Sequence, residues 1–413
     1  MMRPRHAIIL ATLSLLGLGV LMVHSAGLRV GTDAPLTVDR LVFGPVAGKA
    51  IGALVLLTIC AHLPVARLGD RRWFRTPIPW LAAVSTVLLV VVLIPGIGTE
   101  RNGAMRWLDI GPGFQPSELA KWTIPAALGW WAIRMRDRMH RFMTGVLPPL
   151  ALLGIATLLI GKEDLGTAVL LAAVGSLVLL AGGARILHFA AFAPLAVVGV
   201  IVAVAGAEYR MKRLQAFRHP FEDPEGINYH VIQSLAAIHA GGPAGRGLGN
   251  GVQKFGYLPE DTTDFVFSNV CDELGLSGAT LVLFLFSVLI VAGLGVIARS
   301  RSPFARLLSF GVMLVIGLQS LINLFVVTAM APTKGIALPL ISQGGTGWWM
   351  TACALGLLVA IDRETDERMG PASTSAADAD GPECAESPPP IGMPVAASEA
   401  SPIETPIATP GWT

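Results

Sequence analysis

"GATLVLFLFSVLIVAGLGVIA", residues 278–298, carries no charged side chain. It is long enough to cross a bilayer as one helix, which takes about 20 apolar residues. "AAVSTVLLVVVLIPGI", residues 82–97, is equally bare of charge. Neither stretch alternates apolar and polar residues with period two, as a strand of an outer-membrane barrel would. Working outward, ten apolar stretches of this kind lie near 7–25, 43–63, 79–97, 118–134, 145–160, 166–183, 189–207, 272–298, 307–330 and 346–361. The expectation is an all-α polytopic membrane protein of about ten transmembrane helices. Composition agrees: 53% of residues are hydrophobic, 14% are charged and mean hydropathy is +0.64. A soluble domain carries about 25% charged residues, so this chain has too little polar surface to cover a soluble core.

The N-terminus "MMRPRHAIILATLSLLGLGVLMVHSAG" has the basic start, apolar run and small residues of a signal peptide. The length of its apolar run favours an uncleaved first span. Cys60, Cys271, Cys353 and Cys384 lie far apart with no CxxC, which reads as free thiols and no zinc site. A formal net charge of +2 implies no nucleic-acid partner. With the N-terminus inside, every inner loop is basic: Arg3 and Arg5, "RLGDRRWFR" (67–75), "RMRDRMHR" (134–141), Arg185 and "ARSRSPFAR" (298–306). Both termini are then cytoplasmic. A large extracytoplasmic loop, residues 208–271, joins helices 7 and 8, and within it "GINYHVIQSLAAIHAGG" (226–242) has helical spacing. The domain division is 1–363 as the transmembrane domain and 364–413 as a disordered cytoplasmic tail, because the tail is rich in Pro, Ala and Ser and lacks an apolar period.

Ionisable residues at membrane depth are costly and mark function. Four clusters of them gather on the outer side. In "RNGAMRWLDIGPGFQPSELAKW" (101–122), Ser117 and Glu118 fit a helix start, but Lys121 is a cation near a helix N-terminus, where the dipole disfavours it. Lys121 and Arg106 therefore point to an anionic partner, and Glu118 fits either role. In "KEDLGTAVL" (162–170), Asp164 reads first as an N-cap. The long loop carries Arg210, Lys212 and Arg213, placed to snorkel or to neutralise a phosphate. Its run "GGPAGRGLGNG" (241–251) is neither a P-loop nor a Rossmann turn and reads as a flexible turn, while His230 and His239 read as structural. "YLPEDTTDFVF" (257–267) packs Glu260, Asp261 and Asp264 into five positions. Those three acids offer oxygen ligands for a divalent cation, and they serve equally for acid–base work without one. "APTKGIALPLISQGGTGWW" (331–349) adds Lys334 in a Gly- and Pro-broken stretch. The cations Arg106, Lys121, Arg213 and Lys334 with the carboxylates Glu118, Asp164, Glu260 and Asp264 form the set that transfer from a lipid-linked phosphate requires.

Four motifs, "NGAMRWLDIGPGFQPSELAKW", "DLGTA", "QSLAAIHAGGPAGRGLGNGVQKFGYLPEDTTDFVFSNVCDELGLSG" and "PTKGIALPLISQGG", resemble the SEDS family (shape, elongation, division and sporulation), over about residues 7–362. The family includes FtsW and RodA, ten-span peptidoglycan glycosyltransferases; "PTKG" before "LPLIS" is closer to the FtsW cell-division branch than to the RodA branch. The resemblance implies a bacterial inner-membrane protein that polymerises lipid II on the outer side of that membrane, with inversion at the MurNAc anomeric carbon and release of undecaprenyl pyrophosphate. It implies a class B penicillin-binding protein, a transpeptidase, as partner, alongside other division or elongation proteins. Asp264, in Thr263-Asp264-Phe265, becomes the catalytic residue. Arg106, Trp107, Glu118, Lys121, Arg213, Gln233, Ser234, Glu260 and Lys334 become substrate-binding candidates, and Asp164 and Ser342 structural or substrate-binding ones. The sequence departs from the family pattern at Thr262, often His, at "KEDLGTA" for "QPDLGTA", and at "SQGGTG" for "SYGGSS". The competing readings are a lipid II flippase or transporter and a non-catalytic scaffold. A carrier places polar groups near the bilayer midplane, whereas these collect at one face.

Overall fold

A computed structural model describes residues 3–26, 43–69, 75–101, 103–110, 113–251, 263–343 and 345–369. The helices are α1 (Pro4–Ala26), α2 (Pro45–Ala61), α3 (Ile78–Val91), α4 (Pro116–Arg134), α5 (Leu147–Glu163), α6 (Leu165–Ala181), α7 (Ile186–Ala205), α8 (Glu208–Arg218), α9 (Tyr229–Gly241), α10 (Val266–Arg299), α11 (Pro303–Val327) and α12 (Gly345–Met369). Each expected span has its helix: α1 to α7, then α10 to α12. The chain is a multi-pass helical membrane protein.

Its surface and interior are polarised accordingly. Large apolar side chains face outward along the spans, among them Leu10, Ile51, Val87, Leu158, Leu195, Phe284 and Val291. Charged and amide side chains lie inside, including Lys121, Asp272, Glu273, Gln319 and Asn323. A soluble protein cannot carry that distribution, because it would leave an apolar surface in water and charges in its core. The central helices are α4, α6, α10 and α11. α4 packs on α3, α6 and α11, and α1 runs along α10. α7 buries none of its residues.

The structure adds features that the apolar pattern does not carry. Residues 98–108 form a two-stranded hairpin, β1 (Gly98–Arg101) against β2 (Ala104–Leu108), with Thr99 opposite Trp107. Among the described residues, the loop between α7 and α10 holds two helices, α8 and α9; "EYRMKRLQAFR" of α8 has no apolar stripe, so its helix is not legible in the sequence. α4 begins at Pro116, with Gln115 at the N-cap position. The expected cap at Ser117 is therefore absent, and the Ser117 hydroxyl instead accepts from Gln115 Nε2 at 3.0 Å. The last helix reaches Met369.

α10 is broken at Gly275, which has φ 65° and ψ −155°. The break orphans the carbonyls of the preceding turn. The glycine run fills the vacancy: Arg246 N–H donates to Asp272 O (3.0 Å), Gly247 N–H to Glu273 O (2.9 Å), and Leu276 N–H to Gly242 O (2.9 Å). The run read as a flexible turn is thus pinned to the helix that follows the Asp264 turn.

Candidate active site

A cleft of ≈ 800 Å³ opens at the end of the bundle where α4, α6 and α12 begin. β2, α8, α9, the turn before α10 and the irregular segment 331–343 complete its walls.

Arg106 enters from β2. Met105 N–H donates to Glu163 Oε2 (3.0 Å) and Arg106 Nη2 to the Glu163 carbonyl (2.6 Å), which seats the hairpin on the end of α5. Arg106 Nη1 then lies 3.6 Å from Asp164 Oδ2. Its Nε is buried with no hydrogen-bond partner among the described residues. The guanidinium lines the cleft with its side chain 30% exposed, which leaves it able to meet an anionic ligand. Trp107 follows it on the cleft wall.

Asp164 is the N-cap of α6, as its sequence context predicts. Its Oδ1 accepts from Thr167 N–H (3.0 Å) and its Oδ2 from the Thr167 hydroxyl (2.8 Å). The same carboxylate faces Arg106 and acts on Lys334. Glu118 and Lys121 pair at the cleft floor: Lys121 Nζ donates to Glu118 Oε1 (2.7 Å) and to Gln319 Oε1 (3.0 Å), with the lysine 3% exposed. The anionic partner that Lys121 called for is thus supplied by its own helix one turn back, which is why the unfavourable dipole is tolerated.

Asp264 is half-buried in the turn before α10. Beside it, Phe265 is buried and stacks on His230 with 6.0 Å between ring centroids. Gly335 lies beside both Asp264 and Arg106: a methyl placed there would be 3.4 Å from Asp264 Oδ2 and 3.8 Å from Arg106 Nη1. Lys334 precedes it, outside the spans. Burial pushes its ammonium below the usual lysine pKa, and the Asp164 carboxylate pulls it partly back. Ser342 lines the floor, but its hydroxyl accepts from Leu338 N–H (2.8 Å) and so closes a turn. Arg213 reaches the cleft rim from α8, its guanidinium 5.8 Å from the Tyr209 ring centroid.

Ser234 and Gln233 do not join this group. Ser234 is fully buried in α9; its hydroxyl shares a 2.7 Å bond with Ser268 Oγ and donates to Val327 O at 2.7 Å. Gln233 is half-buried beside it, and neither lines the cleft. Glu260 lies outside the described residues, as does Asp261, so two of the three acids considered for a divalent cation are not placed. Among the described residues no three His, Cys, Asp or Glu side chains cluster as a metal site.

Sequence reasoning missed four residues. Tyr209 and His230 line the cleft, His230 also in the structural role expected of it, stacked on Phe265. Gln319 and Asn323 stand one turn apart on α11 and bind the walls together. Gln319 Nε2 donates to Ala337 O (2.7 Å), while Asn323 Nδ2 donates to Asp264 O (2.9 Å) and Ile336 O (2.8 Å). The available signal was two amides inside "VIGLQSLINLFVV", since buried polar groups need partners.

The family model "Cell cycle protein", covering FtsW, RodA and SpoVE, matches residues 6–367. The chain belongs to the FtsW/RodA/SpoVE family. Within that family it is similar to a probable peptidoglycan glycosyltransferase FtsW of Geobacter sulfurreducens, 36% identical over 356 residues, spanning 86% of this chain and 94% of that one. Stage V sporulation protein E of Bacillus subtilis is 35% identical over 364 residues, 87% of this chain and 97% of that one. Two solved structures share the FtsW/RodA fold. One is a chain of a peptidoglycan synthase complex that coordinates polymerization and crosslinking (TM-score 0.65, 24% identity, 87% of this chain and 97% of that one). The other is the rod shape determining protein RodA of Thermus thermophilus (TM-score 0.56, 23% identity, 87% and 96%).

Proposed function

We propose that this chain is an FtsW-type peptidoglycan glycosyltransferase that polymerises lipid II on the outer side of the cytoplasmic membrane. The observation that carries the reading is a convergence at Gly335: a carboxylate, Asp264, and a guanidinium, Arg106, both come within 4 Å of the position a Cβ would take on that glycine, with Lys334 adjacent. A glycosyl transfer from a lipid diphosphate needs a base beside the attacking hydroxyl and cations beside the departing phosphate. Asp264 accepts the proton of the acceptor's GlcNAc 4-hydroxyl. The freed oxygen attacks the donor's MurNAc anomeric carbon, the bond from that carbon to the phosphate oxygen breaks, and its electron pair leaves on undecaprenyl pyrophosphate. Attack from the face opposite the leaving group inverts the α-linkage to β. Arg106, Lys334 and, at the rim, Arg213 stabilise the departing pyrophosphate. Glu118 and Lys121 hold the floor. Asp264 acts as base without a metal in this scheme.

The cleft end of the bundle is extracytoplasmic in this reading, which leaves both termini in the cytoplasm. That orientation is supported by the Arg-rich loops at the opposite end. The likeness to a chain of a peptidoglycan synthase complex supports a class B penicillin-binding protein as the crosslinking partner. The test is reconstitution of the purified chain, with and without such a partner, on labelled lipid II. Wild type is expected to form glycan polymer and Asp264→Ala none. Equal polymer from both would remove Asp264 from the mechanism, and no polymer from wild type would favour a flippase or a scaffold.

A further inference from the structure

We infer that Asn323 is a positioning residue for the proposed glycosyl transfer: its carboxamide ties the Asp264 turn to the Lys334–Ser342 segment and so sets how the base faces the cations. The inference rests on the reading of Asp264 and Lys334 given above. The two tethered segments have no regular structure to hold them. Residues 332–338 form neither helix nor strand, and Asp264 sits in a turn just ahead of α10. Main-chain carbonyls in such stretches need partners when buried. Asn323, 1% exposed on α11, supplies both hydrogens of one amide group: one to the carbonyl of Asp264 itself (2.9 Å), the other to Ile336 O (2.8 Å). One planar group therefore fixes the carbonyl of the base relative to a carbonyl two residues past the cation.

The orientation of the amide follows from its neighbours. Turned over, Asn323 Oδ1 would face two carbonyl oxygens with no hydrogen between them, so only one orientation is sustainable. Its Oδ1 has no hydrogen-bond partner among the described residues. A buried acceptor left unpaired is costly, and the fold tolerates it where both donors are in use. Gln319, one turn earlier, repeats the arrangement: Nε2 holds Ala337 O (2.7 Å) and Oε1 receives Lys121 Nζ (3.0 Å). α11 thus presents two amides, four residues apart, that hold consecutive carbonyls of the same irregular segment. Each also reaches a second wall of the cleft.

Asn323→Asp tests the tether at nearly constant volume. A carboxylate has no hydrogen to give, and a protonated acid has one instead of two. Ser320→Ala is the control: Ser320 is buried on the same helix and its hydroxyl bonds to neither segment. In the full reconstituted chain, Asn323→Asp is expected to lower kcat by about 100-fold, the scale of an ångström-level misplacement of a reacting group. KM should change little and the acid limb of the pH–kcat profile should move, while Ser320→Ala stays at the wild-type rate. Hydrogen–deuterium exchange reads the tether without the reaction: exchange should quicken in peptides covering 263–266 and 334–342 and remain unchanged across α5 and α6. Wild-type kcat in Asn323→Asp overturns the inference. So does a loss of activity with faster exchange throughout the bundle, which would make Asn323 a general stabiliser. Should the wild-type chain form no polymer, the proposed function fails, and the exchange pattern alone then decides the tether.

Discussion

At Lys334 two neighbours act in opposite directions. Burial disfavours its charged form, and the Asp164 carboxylate favours it, with burial the larger effect. A lysine whose pKa is lowered from 10.5 loses its proton at a lower pH than a surface lysine does. If its charge stabilises the pyrophosphate leaving group, kcat/KM falls as pH rises through that lowered pKa. Lys334→Arg keeps its charge throughout, so the alkaline limb is expected to move to higher pH even if the maximal rate drops. A pH–rate profile with the same alkaline limb in both proteins would take the titrating role away from Lys334. Residues of this type were legible because charge is rare in so apolar a chain: Arg106, Asp164, Asp264 and Lys334 stood out at once. Gln319 and Asn323 did not. An amide in an apolar span carries no charge, and its meaning lies entirely in which carbonyls it meets.

Helix α10 shows the same division one scale up. Its apolar run from residue 278 onward marks a span without ambiguity, yet the helix begins earlier, at Val266, and carries a break at Gly275. At φ 65° and ψ −155° the backbone occupies a region open in practice only to glycine. There is also no room for a side chain, because a Cβ at Gly275 would lie 2.3 Å from Gly245 N. Gly275→Ala therefore forces strain of roughly 1–3 kcal/mol and separates the glycine run from the carbonyls of Asp272 and Glu273. The expected result is a lower thermal unfolding midpoint for the detergent-purified protein and reduced polymerisation, because the Asp264 turn rides on this half of α10. An unchanged midpoint would show that the loop and helix are not mechanically joined. The hairpin and α8 belong to the same lesson. Their residues have neither the strict alternation nor the apolar stripe that announces an element, and they are held by contacts with α5 and its neighbours.

Across the whole molecule, the end opposite the cleft is held by an ion-pair network. Arg299 donates to Asp362 Oδ1 (2.9 Å) and also to Asp366, while Arg3 donates to Asp366 Oδ2 (2.8 Å). Arg5 lies 3.2 Å from the same oxygen. The network joins the start of α1 to the ends of α10 and α12, and all of it precedes residue 370. A chain ending at Met369 is therefore expected to insert, to keep its unfolding midpoint and to polymerise lipid II at the full-length rate. Loss of activity in a stably inserted truncation would assign a function to residues 370–413.

The sequence by itself determined the class of fold, the number and order of the spans and most of the charged residues of the cleft. Apolar length and charge scarcity are local properties, and the family motifs are contiguous. Only the tertiary structure decided how those residues are held. It separated Ser234 and Gln233 from the cleft, turned the suspected partner of Lys121 into Glu118, and revealed Asn323 as the link between two walls. The physical reason is separation along the chain: the carbonyls that Asn323 holds lie 59 and 13 residues away from it. A hydrogen bond between residues so far apart exists only once the bundle has closed around it.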